Sequence, residues 1–251
     1  MVVSTSSPDA PPNALQIVPV LGLPLHLHDN YEAWLADRLR KGLSTHVVTL
    51  NAEMAIQAES TPELARCIHQ ADLIIPDGSG VVFYLRLRGY RSDRVPGIEV
   101  AANLLTIAAS EGWSVFFYGG KPGVPEAAQE NWQQSHPALR IVGTEHGYLQ
   151  PSEEQELLNR LHTLQPQIIL VGLGVPRQEL WIQEHRHLCP HSTWIGVGGS
   201  FDVWAGLKER APEWFQDNHL EWMYRLYQEP WRWRRMLALP KFAWKALRWK
   251  D

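Results

Sequence analysis

The sequence predicts an α/β fold in which a parallel sheet is covered by helices on both faces. Short apolar runs rich in β-branched and aromatic residues recur along the chain, and segments with helical periodicity lie between them. The runs are continuously apolar rather than alternating, which is typical of parallel strands buried on both faces. At 251 residues, with 45% of them hydrophobic, the chain is long enough to bury a substantial core.

Each predicted strand is an apolar run that ends at a polar or glycine-rich turn. The strands cover residues 46–50, 72–75, 114–118, 139–142, 167–171 and 193–197. Helices are predicted over residues 29–41, 61–70, 81–88, 99–111, 126–134, 152–164 and 178–188. Thr61 before Pro62 offers an N-cap and a first-turn proline, and Ser152 precedes Gln155 at capping-box spacing. This alternation predicts Rossmann-like parallel sheet layers flanked by helices, in one body or in two abutting lobes.

The carboxyl-terminal segment differs from the rest in structure and in composition. After Gly206 the predicted strands stop, and Pro212, Pro230 and Pro240 divide the chain into short helical pieces. Residues 221–251 carry eight Lys or Arg and three Asp or Glu, a net charge of +5, which leaves −9 for residues 1–220. They also hold five of the twelve tryptophans. Interleaved cations and tryptophans suit a lipid interface, so a membrane-associating appendage is predicted.

These observations divide the chain into a disordered leader over residues 1–13, an α/β body over 14–206 and a helical, basic appendage over 207–251. The leader lacks the basic start and apolar core of a signal peptide, and no apolar run approaches the roughly 18 residues of a spanning helix. Cys67 and Cys189 provide no disulfide framework and fit a reducing compartment. The expected location is the cytoplasm, peripheral on the inner face of the plasma membrane.

The most informative candidate site residue is Asp77, which follows an apolar strand and begins a glycine-rich turn. A carboxylate at the carboxyl end of a strand lies where open α/β sheets place their chemistry. The next helix would begin with free N–H groups beside it, which is a natural seat for an anionic group. The alternative is an N-cap or turn aspartate, and Thr49 and Asn51 could equally be ordinary hydrogen-bonding residues at a strand end.

Glycine-rich turns follow three further predicted strands and contain Gly120, Gly174 and Gly199, the last shortly before Asp202. Such turns let backbone N–H groups approach phosphates, so together they indicate a nucleotide or phosphosugar ligand, although each alone could be a plain connection. None is a P-loop. The turn at Gly174 lacks the third glycine of the dinucleotide fingerprint, which argues against NAD, and no cofactor is expected.

One short row of residues resembles a metal site. His185, His187, Cys189 and His191 alternate, but the row begins in a predicted helix and crosses Pro190, so the side chains need not converge. A polar helix end is the preferred interpretation. No Asp-x-Asp pair occurs in the chain, so the sequence does not indicate a divalent ion that binds a donor diphosphate.

Taken in order, the motifs resemble the WecG/TagA/CpsF family, glycosyltransferases of the N-acetylmannosaminyltransferase type. The similarity runs from about residue 49 to residue 235 and includes TLN at 49–51, ADLIIPDG at 71–78, RVPG at 94–97, YGGKPG at 118–123, VGLGVPRQE at 171–179, GVGGSFDV at 196–203 and EWMYRL at 221–226. The resemblance implies a bacterial enzyme of cell-surface polysaccharide or teichoic acid synthesis. Such an enzyme moves a sugar from a UDP-sugar to an undecaprenyl-diphosphate-linked acceptor, inverting the anomeric centre without a metal.

By position, the resemblance implies that Asp77 is the general base with Thr49 beside it, that Arg94 and Gln178 act in catalysis or substrate binding, and that three appendage arginines complete the site at the membrane. On a continuous helix these arginines would share one face, whereas Pro230 could split that face between two helices. A single acid-base carboxylate suits an inverting transfer. The substrate-binding set is Asn51, Gly120, Gly174, Gly199, Asp202, Arg225, Arg232 and Arg235.

The expected partners are a UDP-sugar donor, a polyprenyl-diphosphate-linked acceptor and an anionic membrane surface. A homo-oligomer is left open, and no nucleic acid is expected. Two other function classes compete. A membrane-surface nucleotide-binding module would explain the basic tail, but it leaves Asp77, Thr49 and Gln178 at strand ends unexplained. A nucleotide-sugar-modifying enzyme such as an epimerase would normally bind NAD, and the missing glycine counts against it.

Overall fold

The structure is a computed structural model that describes residues 15–218 and 220–249. The leader predicted over residues 1–13 lies outside these ranges. For Asp217, Arg225 and Arg232 the structure describes the backbone but not the side chain.

The centre of the fold is a six-stranded sheet in which every hydrogen-bonded pair of strands runs parallel. The described strands are β1 (Gln16–Val20), β2 (Leu23–Leu27), β3 (Thr45–Leu50), β4 (Leu73–Pro76), β5 (Ser114–Gly119), β6 (Arg140–Glu145), β7 (Ile168–Gly172) and β8 (Thr193–Gly196). The order in the large sheet is β4-β3-β8-β7-β5-β6, whereas β1 and β2 form an antiparallel hairpin.

Helices cover both faces of the sheet and make up the chain after β8. They are α1 (Tyr31–Arg40), α2 (Ala52–Ser60), α3 (Pro62–Gln70), α4 (Ser79–Leu87), α5 (Gly97–Glu111), α6 (Val124–Ser135), α7 (Pro151–Leu164), α8 (Arg177–His185), α9 (Ser200–Trp204), α10 (Glu213–Asp217), α11 (Glu221–Gln228), α12 (Trp233–Met236) and α13 (Ala238–Arg248). Strands β3, β4, β5, β7 and β8 are almost wholly buried, as expected for a sheet with two covered faces, whereas the edge strand β6 is only partly buried.

The predicted fold class and all six predicted strands are confirmed, and they form one sheet rather than two lobes. The seven predicted helices are confirmed with small shifts at their ends, as is the N-cap at Thr61 with Pro62 in the first turn. The predicted capping box, Ser152 with Gln155, lies two residues after the observed one. Gln150 and Glu153 form the box of α7, because the helix begins at Pro151 and places Ser152 inside its first turn.

Two elements were not predicted. The β1–β2 hairpin carries prolines at the paired positions Pro19 and Pro24, which weaken a strand signal, and it turns through Leu21 and Gly22 at positive φ. Helix α2 was not predicted either, because Asn51 was interpreted as the end of a strand. Its side chain accepts a hydrogen bond from the N–H of Met54 at 2.9 Å and so caps that helix.

The order of the strands determines where a ligand can bind. From β3 the chain moves outward to β4 and then crosses to β5 in the other half of the sheet, so the connections diverge around β3, β8 and β7. In open α/β sheets, ligands bind outside the carboxyl ends of the strands at such a position. The polar residues at the ends of β3, β4, β7 and β8 therefore converge on one edge.

The last helix of the chain packs back onto the body. Phe242 of α13 is 1% exposed and lies with Ala246 in the same apolar cluster as residues of β3, α2 and α4. Its ring contacts the ring of Tyr84, and Lys245 forms an ion pair of 2.9 Å with Glu59. None of the described helices combines the length and the apolarity that crossing a bilayer requires.

Candidate active site

Two adjoining clefts open at the carboxyl ends of the strands. The larger, of about 860 Å³, is lined by the glycine-rich turns after β5, β7 and β8 and by residues of the segment after Gly206. The smaller, of about 140 Å³, contains Thr49, Asp77 and Arg94. The two clefts share Gly199, Lys208, Glu209, Gln228 and Glu229 in their linings, so they form one continuous site.

Asp77 lies at the end of β4, where its backbone N–H donates to the carbonyl oxygen of Leu50 at 2.9 Å. Gly78 follows with φ of 89°, a conformation that a residue with a side chain rarely adopts, and it turns the chain into α4. The Asp77 carboxylate is 25% exposed and lines the smaller cleft. Thr49, from the adjacent strand β3, lines the same cleft, so the two residues meet as predicted.

Arg94 connects the body with the appendage. Its Nε lies 3.9 Å from Oδ1 of Asp77, and its Nη2 lies 2.5 Å from Oε2 of Glu221 at the start of α11. Glu221 is 6% exposed, so this ion pair is largely desolvated. Among the described residues, Nε of Arg94 is buried without a hydrogen-bond acceptor. This unsatisfied donor therefore lies beside the carboxylate of Asp77, and the arginine that carries it lines the smaller cleft.

The Arg94 loop is fitted closely against β3. The N–H of Val95 donates to the carbonyl oxygen of Pro76 at 3.0 Å, which fixes the loop beside Asp77. A Cβ atom at Gly97 would lie 2.6 Å from Cγ2 of Thr49, so only glycine fits at this position. The sequence RVPG therefore positions its arginine over the end of β4.

Gln178 lies beneath the glycine turns rather than in a cleft wall. Its Oε1 accepts hydrogen bonds from the N–H groups of Gly174 and Gly198, at 3.1 and 3.0 Å, and its Nε2 donates to Oε1 of Glu179 at 2.8 Å. Gln178 and Glu179 are 2% and 1% exposed. The predicted catalytic role of Gln178 stays a prediction, and these contacts favour a role in positioning the turns.

The predicted glycines line the larger cleft, as Gly120, Gly174 and Gly199 all do. Asp202, in the first turn of α9, binds Lys208 at 2.8 Å, and Lys208 also binds Glu229 at 2.9 Å. Partial burial acts to lower the pKa of Lys208, but hydrogen bonds to these two carboxylates raise it above its ordinary value. This cation is therefore held between the body and the appendage, at the junction of the two clefts.

The appendage arginines do not share one continuous helix. Helix α11 ends at Gln228, a 3-10 turn covers Pro230–Arg232, and α12 begins at Trp233. The alternative in which Pro230 splits the helix is therefore confirmed. Arg235 lines the larger cleft and forms an ion pair with Glu53 of α2. The side chains of Arg225 and Arg232 lie outside the described part of the structure.

The residues of the histidine row contact different parts of the chain. Nδ1 of His185 lies 2.9 Å from the carbonyl oxygen of Trp181, and Nδ1 of His191 lies 2.9 Å from that of Gly42. Cys189 is buried, and its thiol contacts the carbonyl oxygen of Leu161. Within the described residues, no three His, Cys, Asp or Glu side chains are grouped to hold a metal ion.

No sequence pattern indicates a role for Glu179, Lys208, Glu221 or Glu229. Each is a charged residue whose neighbours in the sequence form no pattern typical of a catalytic or binding site. Glu179 and Glu221 nevertheless belong to motifs that resemble the family. Their importance arises from long-range contacts, such as the 127-residue separation between Arg94 and Glu221.

Burial gives Glu179 a measurable effect on stability. It raises the pKa of this carboxyl from 4.5 to about 7, so between these pH values the folded chain binds more protons than the unfolded chain, and stability falls as pH rises. Glu179→Gln removes this dependence. The unfolding free energy of the variant minus that of the parent protein should therefore increase by on the order of 3 kcal/mol from pH 4.5 to pH 8. Urea unfolding at both pH values tests this, and an equal difference at both would contradict it.

Comparisons with known proteins agree with the geometry. A family model described as "Glycosyl transferase WecG/TagA/CpsF family" matches residues 18–251 of this chain. A relative from Bacillus spizizenii, named N-acetylglucosaminyldiphosphoundecaprenol N-acetyl-beta-D-mannosaminyltransferase, is 38% identical over 203 residues, covering 80% of this chain and 78% of the relative. A relative of the same name from Bacillus subtilis is 36% identical over 203 residues, with the same coverage. With a family match across the body and the appendage, the chain belongs to the WecG/TagA/CpsF family of glycosyltransferases.

Proposed function

We propose that this protein transfers an N-acetylmannosamine-type sugar from a UDP-sugar to an undecaprenyl-diphosphate-linked sugar, in the synthesis of a cell-surface polysaccharide or teichoic acid. The names of the two Bacillus relatives support this donor sugar and this acceptor. The observation that carries the proposal is the smaller cleft, in which Asp77, Thr49 and Arg94 converge beside a larger glycine-lined cleft.

In the proposed reaction, Asp77 accepts the proton of the acceptor hydroxyl as that oxygen attacks the anomeric carbon. The bond between the anomeric carbon and the UDP oxygen breaks, and its electron pair leaves with the diphosphate. Because attack and departure occur on opposite faces, the anomeric configuration is inverted. Thr49 would orient the hydroxyl from the adjacent strand, and a positioned base of this kind contributes about 10²–10⁴-fold to the rate.

The larger cleft is the proposed binding site of the UDP-sugar donor. Its turns at Gly120, Gly174 and Gly199 present backbone to the ligand without side chains in between, which suits a diphosphate. The leaving group gains negative charge, which Arg94 and Lys208 would meet with charge-assisted hydrogen bonds from the junction of the clefts. Asp202 would contribute by holding Lys208 in place.

The segment over residues 207–251 is the proposed membrane-facing appendage of the catalytic body over residues 14–206. Its large apolar side chains include several that are exposed, and basic residues lie among them. A lipid surface would bury these side chains and attract the cations, at about 1 kcal/mol for each Lys or Arg near an anionic leaflet. The proposed location is therefore the inner face of the plasma membrane, where a lipid-linked acceptor is found. Among the described residues, the exposed set is Leu207, Trp214, Trp222, Met223, Tyr227, Trp231, Trp233, Leu237, Trp244 and Leu247.

The direct test is a transfer assay with UDP-N-acetylmannosamine and a polyprenyl-diphosphate-linked N-acetylglucosamine in detergent or vesicles. We expect UDP release and a disaccharide-lipid product only when both substrates are present. A matched reaction without the acceptor measures hydrolysis of the donor. Absence of product, or equal UDP release without acceptor, would contradict the proposal.

Transfer should not depend on a divalent metal. Side chains of the two clefts, among them Arg94 and Lys208, offer cations to a leaving diphosphate, and the chain has no Asp-x-Asp pair. We therefore expect unchanged initial rates in excess EDTA. Activity that is lost with EDTA and restored by Mg²⁺ or Mn²⁺ would show that this expectation is wrong.

Replacing exposed tryptophans of the appendage should weaken membrane binding. Trp233 and Trp244 are 54% and 57% exposed, and neither lines a cleft. The double variant Trp233→Ser, Trp244→Ser should lower partitioning into anionic vesicles by about tenfold or more, because each indole buries a large apolar area at an interface. Vesicle sedimentation measures this. Leu164→Ser, at an exposed position of α7, is the matched control, and equal partitioning of both variants would contradict the assignment.

A further inference from the structure

One side-chain oxygen joins two of the turns that line the larger cleft. Oε1 of Gln178 accepts the N–H of Gly174, in the turn after β7, and the N–H of Gly198, in the turn after β8. Both glycines have positive φ, 75° and 52°, so neither turn is held by a regular secondary-structure pattern at this point. The spacing between the two turns therefore depends on how the Gln178 amide is oriented.

The side-chain amide of Gln178 can face the two glycines with its oxygen or with its nitrogen. Only the orientation with the oxygen toward them can hold these turns. With Nε2 facing the glycines, four N–H groups would meet without an acceptor, at a cost of about 1–3 kcal/mol for each unsatisfied donor. In the structure, Nε2 instead donates to Oε1 of Glu179 at 2.8 Å. The carboxyl of Glu179 thus selects the orientation of the amide.

The surroundings leave little room for any other arrangement. A Cβ atom at Gly196 would lie 2.5 Å from Nε2 of Gln178 and 3.0 Å from Oε1 of Glu179, so the two side chains fill the space above the last residue of β8. From below, the thiol of Cys67 contacts the carbonyl oxygen of Glu179 at 3.2 Å. Among the described residues, Oε2 of Glu179 is buried without a hydrogen-bond partner. Such a group is costly, which is consistent with a role other than stability.

We propose that Glu179 is a positioning residue of the donor site: it orients the Gln178 amide, which in turn holds the Gly174 and Gly198 turns at the spacing that a nucleoside diphosphate requires. This proposal rests on the proposed function for the identity of the ligand. The chain of contacts itself, from Glu179 to Gln178 to the two turns, is independent of that function.

The test uses substitutions of nearly equal volume in the full chain. Glu179→Met removes the acceptor, whereas Glu179→Gln keeps a carbonyl that can accept from Nε2 of Gln178. Without ligand, amide hydrogen exchange by NMR should show protection at Gly174 and Gly198 reduced by about tenfold or more in Glu179→Met, the loss expected when one hydrogen bond is removed. It should be largely retained in Glu179→Gln. Glu184→Met, on the exposed side of α8, is the matched control and should leave protection unchanged.

The second measurement is the dissociation constant of UDP by calorimetry. We expect it to rise about tenfold in Glu179→Met and to stay within about threefold in Glu179→Gln. Equal exchange protection in Glu179→Met and the parent protein, equal losses in both Glu179 variants, or unchanged UDP affinity despite lost protection would each overturn the proposal. Failure of the parent protein to bind UDP would instead count against the proposed function, and exchange would still decide whether Glu179 acts on the turns.

A double variant tests the proposal even if Glu179→Met alone does not fold. In Gln178→Met, Glu179→Met both polar partners are replaced by apolar groups, so no donor is left unpaired by the second change. If Glu179 acts through Gln178, exchange protection at the two glycines and UDP affinity should equal those of Gln178→Met alone. A further loss in the double variant would show that Glu179 acts by another route and would overturn the proposal.

Discussion

Asp77→Asn is expected to lower the turnover number by about 10²-fold or more while leaving the fold intact. Asparagine keeps the size of the side chain and one carbonyl oxygen, but its amide cannot accept the proton of the attacking hydroxyl. The backbone N–H of residue 77 would still donate to Leu50, because that contact does not involve the side chain. Initial rates with saturating donor and acceptor measure the effect.

The matched control is Asp93→Asn, which makes the same change at an exposed position of the neighbouring loop. It should retain the parent rate. UDP affinity should be nearly unchanged in Asp77→Asn, because the proposed donor seat is the larger cleft, which Asp77 does not line. A folded Asp77→Asn variant with near-parental transfer would remove Asp77 from the role of base.

The second large effect is expected at Arg94. Arg94→Met should reduce turnover by about 10²–10³-fold, the loss typical of removing one preorganised donor that stabilises developing charge. Arg94→Lys should also be impaired, because a single ammonium replaces a fork whose Nε and Nη2 point to two different carboxylates, Asp77 and Glu221. The measurement is turnover under saturating substrates, together with thermal unfolding to verify the fold.

Arg91→Met is the control for the Arg94 variants, since Arg91 is exposed and lines neither cleft. Its turnover should equal that of the parent protein. If Arg94→Lys were fully active, the fork geometry would be irrelevant, and a simple positive charge would suffice. If Arg94→Met were fully active, Arg94 would have no part in stabilising the leaving group.

Point substitutions test the appendage better than truncation does. Truncation after Gly206 would remove Phe242 and Ala246 from a core cluster that includes residues of the body, so lost activity could follow from lost stability. Substitutions at exposed tryptophans avoid this, because they leave α13 packed on α2 and α4. The ion pairs Arg94–Glu221 and Asp202–Lys208 likewise show that the appendage and the body share the candidate site.

The sequence by itself predicted the parallel sheet, its six strands and the glycine turns after them. Those features depend on local composition, because a strand buried on both faces must be continuously apolar and its end requires residues that can turn. The convergence of Thr49 and Asp77 was predictable for the same reason, since parallel neighbouring strands end at one edge. The β1–β2 hairpin was missed where local signals conflict, at Pro19 and Pro24.

What only the tertiary structure decided are the contacts between residues far apart in sequence. The pairing of Arg94 with Glu221 depends on how α11 returns to the body, and no local pattern encodes that path. The family resemblance implied that Gln178 belongs to the site, but the direction of its amide follows from packing against Gly196 and from the buried carboxyl of Glu179. Composition specifies which segments are buried and where they turn, whereas the partner of each polar group is chosen by three-dimensional packing, because a buried donor or acceptor must be satisfied by whatever the fold brings within reach.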